Sequence, residues 1–194
     1  MSNVGLFFQP DEAPVVPDAL LSADVSLPSD LWPKKHRSYF VWQYGKPPDV
    51  VIEIVSNREG GELDDKLRIY EHVRVAHYVV FDPIQQLGGP RLRAFELRGD
   101  RYVDRLDLRF ERLGLALVEW EGPWEGRTER WLRWAEVGGL LIPSGAERAE
   151  QETQRAEQET QRAEQEKQRA EQEKQRADRL AEKLRALGVD PDDA

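Results

Sequence analysis

The chain has 194 residues, a formal net charge of −9 and no cysteine, with charged residues making up 34 % of the total. That length suits one ordinary domain plus an appendage, and the missing cysteines exclude disulfides and zinc–thiolate sites. The acidic balance argues against broad non-specific DNA binding but leaves room for a local basic surface.

Met1 to Pro10 carry no basic start followed by a long apolar run, and no stretch has the apolar length of a membrane span. A soluble, cytoplasmic protein is expected. Val15–Ser22 reads as a short strand, and Pro28–Lys46 as a loop with the basic cluster Lys34, Lys35 and Arg37. Val50–Val55 is apolar apart from one acid, the pattern of a strand buried on both faces. Gly60-Gly61 breaks the chain. Glu62–Val73 is then a helix, and Tyr78–Phe81 a strand closed by Asp82-Pro83. Leu92–Leu97 and Tyr102–Phe110 are expected as strands around Arg98-Gly99-Asp100. Within the second, Leu106, Leu108 and Phe110 alternate with Arg105, Asp107 and Arg109, one face buried and one wet. The order β-β-α-β followed by hairpins predicts an α/β (α+β) domain. Trp120, Trp124, Trp131 and Trp134 read as core and lid packing.

Composition changes sharply at Ser144–Ala146. Arg-Ala-Glu-Gln-Glu recurs from Arg148, Arg155, Arg162 and Arg169, with a diverged unit at Arg176. The period of seven and the helix-favouring residues predict a rod over 146–187, roughly 60 Å long. Gly188 and Pro191 supply stop signals, and 188–194 is expected to be a disordered tail. Ala149, Ala156, Ala163, Ala170, Ala177 and Leu184 share one heptad position, with Thr153, Thr160, Lys167, Lys174 and Ala181 at its companion. This seam is thin, so two readings stand: a weak coiled coil, or a solvated single helix held by pairs such as Glu152–Arg155 and Lys167–Glu171.

Three polar residues stand out in the first 144. Glu53 lies in an apolar, mostly β-branched strand, and an ionised carboxylate buried there needs a metal, a cation or a proton. It is either a functional acid or one half of a structural bridge with an Arg. Lys66 points along the apolar stripe Leu63, Leu67, Tyr70 and Val73. It either pairs with Glu53 or snorkels to water. Asp18 follows Pro17 in an apolar-flanked segment, where it is either a turn acid or a second carboxylate for a hard cation such as Mg²⁺. Two acids and a lysine form a coherent set for phosphodiester hydrolysis. His36, His72 and His77 lack metal-ligand spacing, Ser56 has no triad, and no phosphate loop is present. The Arg-rich hairpins, with interleaved acids, read as a wet sheet face.

Pro47-Pro48-Asp49-Val50-Val51-Ile52-Glu53-Ile54-Val55-Ser56, then Asp65-Lys66 with Tyr70, then Tyr78-Val79-Val80-Phe81-Asp82-Pro83, resemble the Uma-two restriction endonuclease family. Val16-Pro17-Asp18, Arg37-Ser38-Tyr39 through Trp42, Trp131-Leu132-Arg133-Trp134 and the repetitive tail fit it too, so the resemblance covers roughly residues 5 to 180. It implies a restriction-endonuclease-like central sheet of the PD-(D/E)XK superfamily, with Asp18 and Glu53 as acids around Mg²⁺ (or Mn²⁺). The usual lysine, two residues after the second acid, is Val55 here, and the family's lysine on the following helix corresponds to Lys66. Family members usually carry an extra helix and hairpin before the strand near Leu6–Gln9, where this chain begins. The expected function is a Mg²⁺-dependent endonuclease acting on DNA. The alternatives are an inactive, truncated nuclease-fold scaffold that assembles through 146–187 with its own copy or a partner helix, and a DNA-binding module without cleavage.

Overall fold

A computed structural model describes residues 4–26, 30, 38–56, 61–124 and 126–186. In chain order its elements are β1 (Gly5–Phe7), β2 (Ala19–Leu21), β3 (Ser38–Phe40), α1 (Val41–Tyr44), β4 (Val50–Ile54), α2 (Asp65–Val73), β5 (His77–Phe81), β6 (Leu92–Arg98), β7 (Arg101–Arg105), β8 (Arg109–Phe110), β9 (Leu115–Trp124), β10 (Arg127–Glu136) and α3 (Gly145–Ala186). The fold is α+β, and the chain divides into two units, Met1–Ile142 and Pro143–Ala194. No helix among the described residues is long and apolar enough to cross a membrane.

A five-stranded sheet of order β2-β4-β5-β6-β7 organises the first unit. Its one parallel pair is β4 with β5, joined through α2; β2–β4, β5–β6 and β6–β7 are antiparallel. Both faces are covered, which is why β4 reads as an almost unbroken apolar run. Val51, Val55 and Val80 pack on one face with Tyr70 and Val73 of α2 and with Leu20, Tyr78 and Phe95. Val50, Ile52 and Val79 pack on the other with Ala94, Phe110 and Leu117, flanked by Leu132 and Trp134. Those last partners come from a three-stranded sheet, β10-β9-β8.

Four expectations are revised. The strand expected over Val15–Ser22 is confined to β2; Pro14 and Pro17 cannot donate to a ladder, and Val15 instead makes an isolated bridge to Leu6. The expected loop Pro28–Lys46 contains β3, which pairs in parallel with β1, and the single helical turn α1. Lys34, Lys35, His36 and Arg37 lie outside the described residues. The strand expected over Tyr102–Phe110 stops at Arg105, and Leu106 is fully exposed. There the Asp107 carboxylate accepts hydrogen bonds from the Arg109 backbone N–H and the Arg105 guanidinium, turning the chain so that β8 joins the other sheet. The helix expected from Glu62 begins at Asp65, after a turn through Gly61 at φ +65°.

Trp120, Trp124, Trp131 and Trp134 lie on a long hairpin. Trp120 of β9 faces Trp131 of β10, the Trp131 Nε1–H donates to the Gly122 carbonyl at 3.0 Å, and the Arg133 guanidinium lies 4.8 Å from the centre of the Trp120 ring. A Cβ at position 122 would stand 2.1 Å from the Trp120 ring, so only glycine lets the indole lie along the strand.

In the second unit, Ser144 caps α3. Its hydroxyl accepts the Glu147 N–H at 3.2 Å, and the Glu147 carboxylate accepts the Ser144 N–H at 2.7 Å, a reciprocal capping box. Side chains from Arg148 to Leu180 are exposed. Residues 188–194 lie outside the described residues.

Candidate active site

Side-chain alternation along β4 puts Val51, Glu53 and Val55 on the face covered by α2. The β2–β4 register pairs Ala19 with Ile52, so one further step sets Asp18 opposite Glu53 on that same face. The Asp18 Oδ2 accepts the Ile54 backbone N–H at 2.7 Å, which anchors this half-buried carboxylate at the end of the strand pair. Glu53 is 1 % exposed.

Lys66 and Tyr70, one turn apart on α2, both reach Glu53. The Lys66 Nζ donates to Glu53 Oε2 at 2.9 Å, and the Tyr70 hydroxyl donates to Oε1 at 2.5 Å. The ammonium also donates to Glu62 Oε1 at 3.4 Å, and the Tyr78 hydroxyl donates to the Glu62 backbone carbonyl at 2.9 Å. Glu62 is itself buried, and its Oε2 has no hydrogen-bond partner among the described residues. Asp18, Glu53 and Lys66 therefore share one corner of the sheet, and the Lys66 ammonium faces the acids.

Burial pushes the Glu53 carboxyl above the usual carboxylate range, although the Tyr70 and Lys66 hydrogen bonds pull the other way. For Lys66, burial alone would lower the pKa; the hydrogen bond and charge of Glu53, with those of Glu62, together outweigh it and hold the ammonium above its ordinary value. Burial, then the neighbouring Glu53 charge, raise the Tyr70 phenol far above its normal range, so it remains a donor.

The residues that sequence reasoning missed are Tyr70, read as part of the apolar stripe, and Glu62. The signal was partial: Lys66 and Tyr70 are spaced by four on α2 and so share one helical face, while Glu62, four residues before Lys66, precedes the helix. Other candidates resolve into structure. The two Asp82 carboxylate oxygens accept the Gln86 and Leu87 N–H groups, closing the turn after β5. His72 bonds Gln9, and the His77 ring packs 4.9 Å from Phe110. Ser56 offers its backbone carbonyl to Gln86. Among the hairpin arginines, Arg98 and Arg105 pair with Glu96, and Arg101 with Glu71.

Among the described residues no group of three or more His, Asp or Glu side chains is placed to enclose a metal ion. A hard cation such as Mg²⁺ needs less, because it keeps waters and takes one or two protein carboxylates with substrate oxygens. Asp18 and Glu53 are all-oxygen donors side by side, and the unpartnered Glu62 Oε2 adds uncompensated acceptor capacity next to Lys66. The residues present fit such an ion.

Comparison with curated proteins and with solved structures gives no match. A family model, Uma2, described as "Putative restriction endonuclease", matches residues 1–119. That span is more than half of the chain and holds β1 to β8, α2 and the whole Asp18–Glu53–Lys66 corner. The chain thus belongs to the Uma2 family of restriction-endonuclease-like proteins.

Proposed function

We propose that this protein is a divalent-metal-dependent endonuclease that hydrolyses DNA phosphodiester bonds, with Asp18 and Glu53 holding Mg²⁺ and Lys66 serving the phosphate. The observation that carries this reading is the buried Glu53, gripped by Lys66 and Tyr70 and set across the strand pair from Asp18. A bound Mg²⁺ would supply Lewis acidity, activating water and offsetting charge on the phosphate. The chain's own groups do the rest. Tyr70 fixes Glu53 Oε1 and so orients the carboxylate. The Ile54 N–H anchors Asp18 through Oδ2, so that its other oxygen would serve the metal. Lys66, kept charged by two acids, donates a hydrogen bond to a phosphate oxygen or holds the attacking water. In a plasmid-nicking assay with Mg²⁺ or Mn²⁺, Asp18→Asn, Glu53→Gln and Lys66→Ala should each slow cleavage about 100-fold or more. Unchanged nicking in these variants would overturn the assignment.

One observation favours a second reading. Both Glu53 oxygens already accept hydrogen bonds, the arrangement of a buried structural ion pair. On that reading the chain is a non-cleaving nuclease-fold scaffold. Calorimetric titration with Mg²⁺ and Mn²⁺ separates the two: binding that disappears in Glu53→Gln supports the nuclease, and no binding in either protein supports the scaffold.

A further inference from the structure

The charge on α3 is unevenly spread along a rod of 42 residues, about 63 Å at the helical rise. Residues 145–166 carry seven acids and three bases, and residues 167–186 carry four acids and seven bases, so one half has net charge −4 and the other +3. One edge of the helix compensates itself: Arg155, Glu159, Arg162 and Glu166 alternate at spacings of four and three, and the Arg155 Nε lies 3.3 Å from the Glu159 carboxylate. What remains uncompensated flanks the Ala/Thr/Lys seam. Glu157 has only Thr153, Gln154, Thr160 and Gln161 at the positions three and four residues away, with no cation among them.

We propose that α3 pairs with α3 of a second copy of this chain, antiparallel, with the acidic half of each helix on the basic half of the other. The heptad positions supply the register. With Ala149 on Ala181 of the second copy, Ala156 falls on Lys174 and Ala163 on Lys167, and the remaining layers set Ala170 and Ala177 on Thr160 and Thr153. Every layer then contains an alanine, so the axes approach closely, and each long lysine stem lies over a small residue. The same register sets Lys174 across from Glu157, which lacks a cation in its own helix, and Lys167 across from Glu164. The same offset brings Glu171 near Glu157, Glu164 near its counterpart and Asp178 near Glu150 of the second copy, but Glu164 and Glu171 each have Lys167, and Glu171 and Asp178 each have Lys174, three or four residues away in their own helix. A parallel pair would instead stack Lys167 on Lys167 and Lys174 on Lys174 and set like-charged halves together. This inference is independent of the nuclease reading.

The absence of native cysteine makes the test direct in the full chain. Oxidation of a mixture of Ala149→Cys and Ala181→Cys proteins should give a disulfide dimer joining the two variants, and neither variant alone should cross-link. Cross-linking of each variant with itself would overturn the antiparallel arrangement. A monomer by sedimentation equilibrium up to millimolar concentration would overturn pairing altogether. Lys174→Glu should weaken the dimer about tenfold, because two exposed attractions to Glu157, one at each end of the pair, become repulsions. Combining it with Glu157→Lys should restore the affinity, and a single variant that dimerises like the wild type would overturn the register.

Discussion

The Glu53–Lys66 pair of the sheet and the Arg155–Glu159 pair of α3 use similar chemistry under opposite conditions. Glu53 is 1 % exposed and has a hydrogen bond to each oxygen, whereas Arg155 and Glu159 are 81 % and 67 % exposed at their side chains. In the sheet, a carboxylate without partners would suffer the full penalty of desolvation, so the surrounding residues are fixed by it. On the helix, water serves either charge almost as well as the other does, so the repeat can drift in sequence without losing its fold. A charged residue is informative in proportion to what its removal from water costs.

The largest effect that would test this contrast is in the sheet. Lys66→Ala leaves Glu53 buried beside Glu62 without a cation, and since Lys66 is 27 % exposed at its side chain, a loss of about 2–3 kcal/mol in urea unfolding is expected, below the 3–5 of a fully enclosed pair. The deficit should shrink as pH falls towards the ordinary Glu range. The Glu53 pKa is raised by burial, so the folded state favours its protonated form, and that contribution is fully present below the ordinary Glu range and lost as pH rises through the raised value. A protonated Glu53 needs no ammonium. A deficit that grows on acidification would contradict this account.

Tyr70→Phe comes next. It removes one short hydrogen bond to a buried carboxylate, with an expected cost of about 1–2 kcal/mol and a loss of nicking rate, and it tests whether the phenol positions Glu53 or merely fills space. A smaller effect is expected at His77, whose pKa is lowered by burial and then by Arg105, and whose Nδ1 is buried without a hydrogen-bond partner among the described residues. Its contribution is present above the ordinary histidine value near 6.5 and is lost as pH falls through the lowered one. Wild-type Tm should therefore drop on acidification below about pH 6.5, and less so in His77→Gln. Smallest of all is Arg155→Ala on the helix. It should change helicity or unfolding free energy by no more than about 0.5 kcal/mol, and less still at high salt. A loss comparable to that of Lys66→Ala would remove the contrast between the two regions.

The site was legible as far as single residues conflict with their surroundings. Glu53 interrupts an apolar strand, and Lys66 interrupts an apolar helical stripe. Tyr70 was hidden because a tyrosine in an apolar stripe conflicts with nothing, and Glu62 because it precedes the helix proper. Asp18 was ambiguous in sequence, since turn acids after proline are common. The β2–β4 register made it Glu53's neighbour. The parallel β1–β3 pair and the transfer of β8 to the second sheet were not legible, because neither follows from local periodicity. The first joins segments more than 30 residues apart, and the second depends on the turn built around Asp107.

The sequence by itself determined the elements whose pattern repeats or runs unbroken: the buried strand Val50–Ile54, the amphipathic helix after it, and the 42-residue helix with its period of seven. Local preferences and burial periodicity act within a few residues, and a sequence displays them directly. Only the tertiary structure decided that Asp18, Glu53, Glu62, Lys66 and Tyr70 share one corner, because strand register and helix placement are set by how both faces of the sheet are covered. It is this placement that puts a buried carboxylate within reach of a lysine and a tyrosine from another element, and so assembles the candidate site.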